Sequence, residues 1–143
     1  MLEALIIAYI LLAPAKSATH IPAQDASAHY QKAKSYFLEH NRPEAIKEAK
    51  QVVLLEPTHK EAHKLLGACY GIDQNMEGAA EEYKEAVTID PDDMEAELGL
   101  AVALQSEGSH QEAREAYQYV IKHPQSTATQ RQVALTQLKT LSR

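Results

Sequence analysis

Small and large apolar residues recur at a spacing of thirty-four positions through most of this 143-residue chain. The repeat gives three gapless blocks, residues 26–59, 60–93 and 94–127. The columns of small residues are Ala33, Gly67 and Ala101, and then Ala45, Ala79 and Ala113. The columns of larger residues are Tyr36, Tyr70 and Leu104, then Ala49, Tyr83 and Tyr117, then Val52, Ala86 and Val120. A period of this length is typical of stacked units that cannot bury their apolar faces alone.

Residues that favour helix starts keep the same register. The N-cap candidates near the block starts are Thr58, Asp92 and Ser126, and those in mid-block are Asn41, Asn75 and Ser109. Glu61 and Glu95 stand three residues after the first two, as a capping box requires. Pro57 and Pro91 close the first two blocks, and Pro124 lies one residue early in the third. We therefore predict two helices in each block, joined by a short polar turn and starting near Ser27.

The second block resembles the tetratricopeptide repeat family. The matching residues are Leu66, Gly67, Tyr70, Ala79, Tyr83, Ala86 and Pro91. The other blocks depart from that pattern, with Ala49 where an aromatic residue is common and Leu104 in place of the tyrosine. The resemblance implies an all-α solenoid of three antiparallel helix hairpins. Because both residues are small, Gly67 and Ala79 are predicted to mark a close helix crossing.

The segment after the third block favours a C-terminal capping helix over residues 128–143. Val133, Ala134, Leu138 and Leu141 fall on one helical face, and glutamines lie mostly outside it. Such a helix covers the last hairpin with its apolar face and turns its polar face to water.

The resemblance also implies a concave groove, lined by the first helix of each repeat, that binds a partner peptide or helix. Carried over by register, the groove residues are Tyr30, Lys34, Phe37, Leu38, Lys64, Ala68, Gly71, Leu98, Val102 and Gln105. Apolar area and two lysines predict a partner segment with a few acidic residues. A second interpretation is that the apolar members pack between hairpins and the lysines are solvated. The Lys, Asn and Arg clamp by which some family members grip a C-terminal carboxylate is not expected, because Ala68, Leu98 and Gly99 occupy part of that region.

Residues 1–25 form an N-terminal segment and linker ahead of the repeats. The apolar run over residues 4–13 is too short to span a bilayer, but it resembles the core of a secretory signal, with Ala13-Pro14-Ala15 as a cleavage region. Against this, Glu3 precedes the run and no basic residue does. Export to the periplasm or outside, membrane association through residues 2–13, and a cytoplasmic helix that packs on the repeats all stay open.

Charge and candidate chemistry narrow the function classes. The net charge is −6, and no basic stripe points to nucleic acid. The lone Cys69 excludes an intramolecular disulfide and is interpreted as a small buried residue. His59 and His63 are four residues apart, but we interpret them as solvated surface side chains rather than metal ligands. No catalytic, metal or cofactor motif occurs, so neither an enzyme nor a cofactor is expected.

Two functional hypotheses remain. The first is a non-catalytic scaffold or assembly factor that binds a protein or peptide partner in the concave groove. The alternative is a regulatory or oligomerising protein whose uncleaved N-terminal helix occupies the groove or caps the array, with a homo-oligomer as one outcome.

Overall fold

The computed structural model describes residues 22–141, with side chains from residue 24 onward. All regular structure in this part of the chain is helical. The seven helices are α1 Pro22–Leu38, α2 Arg42–Leu55, α3 Lys60–Ile72, α4 Met76–Ile89, α5 Met94–Glu107, α6 His110–Lys122 and α7 Ala128–Thr140. Neighbouring helices pack in chain order as the hairpins α1–α2, α3–α4 and α5–α6, followed by α7. The predicted all-α solenoid of three hairpins with a C-terminal helix is confirmed.

The turn inside each hairpin has the same backbone conformation. His40, Gln74 and Gly108 stand thirty-four residues apart, and their φ angles of 59°, 62° and 99° lie in the left-handed region. The next residue in each turn, such as Asn41, donates its backbone N–H to a carbonyl five residues back. This arrangement satisfies the last helical carbonyls and reverses the chain. Only the third repeat uses glycine here, so the sequence pattern does not show this shared feature.

The starts of α3, α5 and α7 each correct a predicted cap by one residue. His59, Asp93 and Thr127 are the N-caps, and their side chains accept backbone N–H groups of the first turn. The turn after each proline takes one residue more than we expected, with His59 N–H bonded to Glu56 O. The buried Ser126 hydroxyl instead donates to Val120 O at 2.6 Å. In mid-block, Asn41, Asn75 and Ser109 hold the N-cap positions, as predicted, but only the Asn75 side chain accepts a backbone N–H there.

The core is built around alanine. Ala33, Ala45, Ala101 and Ala113 are fully buried, which lets the helices of each hairpin approach closely. Larger residues fill the remaining space, with Tyr117 the largest fully buried side chain. The repeat columns therefore describe the packing between helices.

The C-terminal helix α7 covers the third hairpin with a narrower face than predicted. Ala134 is fully buried, and Leu138 and Leu141 pack on the cluster that contains Tyr117. Val133 is 41% exposed and does not belong to that face. The contact face is therefore set by the three residues at positions 134, 138 and 141.

The first helix begins at Pro22, earlier than the predicted start near Ser27. Proline suits a helix start because it lacks an N–H, and an N–H at that position would have no intrahelical partner. The signal-like segment over residues 2–13 lies outside the described residues. Among the helices of residues 22–141, none combines the length and apolar character that a bilayer span requires.

Candidate functional site

An open groove runs between α3 and α5, with α4 beneath it. Its volume is about 440 Å³. We call it the central groove, and its lining residues are Gly67, Ala68, Gly71, Ile72, Met76, Ala79, Tyr83, Leu98, Gly99, Val102 and Ala103. Every one of these side chains is apolar apart from the Tyr83 hydroxyl. The surface is therefore suited to apolar side chains and offers few hydrogen-bonding groups.

The depth of the groove depends on two glycines that face one aromatic ring. A Cβ at Gly67 would lie 2.9 Å from Tyr83 Cδ2, and one at Gly99 would lie 2.5 Å from Tyr83 Cε1. The Tyr83 ring therefore occupies the space that side chains at both positions would take. We predicted that Gly67 and Ala79 mark a close helix crossing; at Gly67 the close contact is with the Tyr83 ring on α4.

A smaller polar pocket of about 190 Å³ adjoins the central groove through Ala68 and Tyr83. We call it the polar end, and its other lining residues are Tyr30, Glu61, Lys64, Leu65 and Glu95. Lys64 Nζ lies 2.6 Å from Glu95 Oε2 and 3.1 Å from Asp93 Oδ2. These carboxylates hold the Lys64 ammonium group, so it is not the solvated group that the second interpretation expected.

The carboxylates around the polar end outnumber the lysines. Lys60 Nζ lies 2.7 Å from Asp90 Oδ2 and 3.0 Å from Asp93 Oδ2. Burial acts to raise the pKa of Asp93, but hydrogen bonds from Ala96 N–H, Lys60 and Lys64 outweigh it and lower that pKa to about 2. Asp93 therefore stays ionised. The net charge here disfavours the acidic partner segment expected from the two predicted groove lysines.

The structure brings together six of the predicted groove residues in the two pockets. Ala68, Leu98 and Val102 line the central groove, as does Gly71, while Tyr30, Lys64 and Ala68 line the polar end. Val102 is 44% exposed and open to a partner. Leu98 also packs on the third-hairpin core, so it contributes to stability as well.

The other predicted residues lie outside both pockets. Lys34 Nζ stands 4.9 Å from the centre of the Tyr30 ring, and Leu38 is 77% exposed at the end of α1. Gln105 accepts a hydrogen bond from the Tyr117 hydroxyl at 2.7 Å and donates to Thr140 at 3.1 Å. Its amide is therefore committed to holding α7 in place. Phe37, like these three, lines neither pocket.

The residues that form the floor of the groove were not predicted from the sequence. Met76, Ala79 and Tyr83 belong to α4, the second helix of the middle repeat, whereas the prediction drew only on first helices. The signal was present in the sequence, because Tyr83 occupies an aromatic column opposite the glycine of the same repeat. Two small facing residues leave room for a second helix to reach the surface.

His63 corrects the prediction of two solvated histidines. It is 5% exposed, its Nδ1 lies 2.8 Å from Glu82 Oε2, and its Nε2 lies 2.9 Å from Pro57 O. His59 accepts Ala62 N–H as the cap of α3. Across residues 22–141 no group of three or more potential metal ligands is found. These histidines are structural groups.

Cys69 is buried, as predicted. Burial raises the pKa of its thiol to about 11, and the nearby Asp73 carboxylate acts in the same direction. Such a thiol is protonated at neutral pH and is a poor nucleophile.

Comparisons with known proteins agree with this architecture. Similar structures include the first tetratricopeptide domain of Spaghetti (RPAP3) bound to the HSP90 peptide SRMEEVD, with 18% identity, a TM-score of 0.75 and coverage of 87% of this chain and 96% of that one. The second such domain of human RPAP3, in complex with the HSP70 peptide SGPTIEEVD, gives 18% identity, a TM-score of 0.76 and coverage of 86% and 99%. The TPR2B domain of yeast Sti1, in its complex with pHsp70, is 17% identical, with a TM-score of 0.72 and coverage of 83% of this chain and 97% of that one.

The sequence comparisons point to the same family. No curated protein sequence matches the chain. A sequence profile of the tetratricopeptide repeat matches residues 30–93 and 90–127, which is more than half of the chain. The repeat register, the three hairpins and this match together show that the chain belongs to the tetratricopeptide repeat family.

Proposed function

We propose that this protein is a non-catalytic interaction scaffold that binds a segment of a partner protein in the central groove. The observation that carries the proposal is the apolar lining, interrupted only by the Tyr83 hydroxyl, of an open groove between successive first helices. Structurally similar tetratricopeptide domains were determined with bound peptides, which supports a peptide or helix as the partner class. The family is generally non-catalytic, and this supports a binding role over an enzymatic one.

The partner segment differs in charge from the peptides held by those similar domains. Those peptides end in Glu-Glu-Val-Asp. In this chain the groove lysine Lys64 already contacts Asp93 and Glu95, and Lys60 contacts Asp90. An acidic peptide would have to displace these carboxylates at a cost in free energy. We therefore propose an apolar helix with a basic or neutral residue beside the polar end.

Val102→Glu is the sharpest test of groove binding. Val102 lines the groove and is 44% exposed, so the substitution should leave helicity and unfolding temperature nearly unchanged. Leu54→Glu is the matched control, because Leu54 is 73% exposed on α2 and lines neither pocket of the site. A displayed library of helical peptides is selected on the purified full chain. The selected peptides should then bind Leu54→Glu normally and Val102→Glu at least about tenfold more weakly.

Equal binding of these peptides by both variants would refute the proposal. A second check comes from the selected sequences themselves. They should share apolar residues at helical spacing, because the groove offers almost no hydrogen-bonding groups. A consensus of acidic residues at the peptide C-terminus would instead place binding on the lysines.

The alternative is that residues 2–13 of this chain occupy the central groove. It is favoured by the match between the apolar groove and an apolar segment that precedes α1 in the same chain. Ile7→Glu should then strengthen binding of the selected peptides by freeing the groove, whereas it should change nothing if the groove is open. Mass spectrometry of the mature N-terminus decides whether the segment persists, since removal of residues 1–15 would support export and exclude self-occupation.

A further inference from the structure

A second depression lies on the other side of α5 from the central groove. Leu98 faces the groove, and Leu100, two positions on, points about 200° around the helix axis. Hollows of about 360 Å³ and 380 Å³ share Leu100, Leu104 and Glu112 and therefore join. We call the joined surface the acidic cleft. Its other lining residues are Glu77, Ala80, Glu81, Lys84, Glu97, Glu107, Ser109, Glu115, Ala116 and Tyr119.

The charge of this cleft is strongly one-sided. Six glutamates line it, and Lys84 is the one cation among its lining residues. In the described part of the chain, the ion pairs all lie elsewhere and include none of these seven groups. By contrast, Glu82, which lies on α4 together with Glu81 and Lys84, contacts His63 Nδ1 at 2.8 Å. The cleft carboxylates therefore keep their charge available for a partner.

The position of Glu97 is a second, independent observation that points to a binding surface in the cleft. It is only 8% exposed, and within residues 22–141 its carboxylate forms no hydrogen bond or ion pair. Burial raises the pKa of this carboxyl above its ordinary value. Among the described residues no fully buried side-chain oxygen lacks a hydrogen-bond partner, so the Glu97 carboxylate keeps contact with water where it meets the cleft. It is largely desolvated, and a cation brought into the cleft would pair with it. Glu97 opens onto the cleft beside Leu100 and Tyr119.

We propose that the acidic cleft is a second docking surface, which takes a basic amphipathic helix of another protein. Leu100 and Leu104 would receive the apolar side chains of that helix, while Glu97 and Glu112 would receive its lysines or arginines. Tyr119 is 41% exposed and offers a ring face to one of these cations. The cleft crosses three helices spaced about 8–10 Å apart, so it accommodates a helix of about 14 residues. A scaffold with two such surfaces holds two partners at once.

The test uses the full chain and a helical peptide of about 14 residues built from leucine and lysine, with its leucines on one face. Binding is measured by isothermal titration calorimetry, and the contact site is mapped by amide chemical shifts. Glu112→Lys reverses the charge shared by both hollows and lies on an exposed position. Glu39→Lys is the matched control, since it changes the net charge equally on an exposed residue of the first hairpin.

We expect Glu112→Lys to weaken binding at least about tenfold and Glu39→Lys to change it by less than about twofold. Glu97→Gln should also weaken binding at unchanged helicity. The same peptide with glutamate in place of lysine should not bind. Equal losses with Glu112→Lys and Glu39→Lys would show attraction to the net charge alone and overturn the proposal. Shift changes around Val102 rather than Leu104 would also overturn it, whereas Val102→Glu should leave this binding intact and so separates it from the central groove.

Discussion

The fit of the Tyr83 ring between two glycines makes a stability prediction with an internal control. A Cβ at Gly99 would stand 2.5 Å from Tyr83 Cε1 and 2.6 Å from Cζ. The ring cannot move away freely, because Gly67 contacts its other edge, with a Cβ there 2.9 Å from Cδ2. Gly71, on the same helix as Gly67, has no atom within 4 Å of an added Cβ. Alanine therefore meets a ring at one position and open space at the other.

The two substitutions should have opposite signs. Glycine inside a helix costs about 1 kcal/mol relative to alanine, so Gly71→Ala should raise the free energy of unfolding by up to about that amount. Gly99→Ala gains the same helix-propensity free energy but forces a displacement of the Tyr83 ring. Overpacking of this kind costs about 1–3 kcal/mol, which leaves a net loss of about 1 kcal/mol. For a domain of this size, each kcal/mol shifts the unfolding temperature by about 4 °C.

Thermal and urea unfolding followed by far-UV circular dichroism measure both effects. The rescue experiment places Gly99→Ala in a Tyr83→Ala background. There the added methyl group should stabilise the protein, because the opposing ring is gone. An increase in unfolding temperature for Gly99→Ala as large as that for Gly71→Ala would show that the ring adjusts without cost, and the argument for a fixed groove floor would fail.

Three further predictions concern charge, capping and thiol reactivity. The Asp93 pKa of about 2 lies below its usual value of 3.8, so its contribution to stability is present above about pH 4 and lost as the pH falls through about 2. Asp93→Asn keeps a capping side chain, yet should lower the unfolding free energy by about 2 kcal/mol at pH 7 and flatten its decline between about pH 4 and 2 in urea titrations. Thr127→Ala should lower the free energy of unfolding by about 1 kcal/mol because it breaks a capping box. Ser109→Ala removes a hydroxyl that makes no capping hydrogen bond and should lower it by less than about 0.5 kcal/mol. Comparable losses for the two variants in urea unfolding would contradict this. With its pKa near 11, native Cys69 should react with iodoacetamide at pH 8 about a hundredfold more slowly than in the unfolded chain, and rapid native labelling would show that the thiol is accessible.

Features that depend on local chemistry were predictable. The helix hairpins follow from small residues, prolines and N-cap residues that recur in one register. The prolines and N-cap residues act within a few residues of their own positions, and the small residues act within their own hairpin. Asn75 illustrates the point, since its side chain accepts Gly78 N–H three residues away. The caps at His59 and Asp93 were displaced by one residue because the turn before them could close in more than one way.

Features that depend on contacts between repeats were not predictable in the same way. Lys64 looks like an open groove lysine in the sequence, but its partners Asp93 and Glu95 come from the next repeat. Gln105 looks like a groove residue, but α7 packs beside it and takes its amide. In both cases the side chain's partner lies about thirty residues away.

The amino-acid sequence alone determined the number of hairpins, their order and the family, because those properties follow from residue types that recur at fixed positions in each repeat. Only the tertiary structure decided which residues form the groove floor, which lysines are neutralised and where carboxylates stay unpaired. The physical reason is that stacking sets the distance between side chains of different repeats. At those distances charges pair and cavities open, and no spacing within one repeat reports on them.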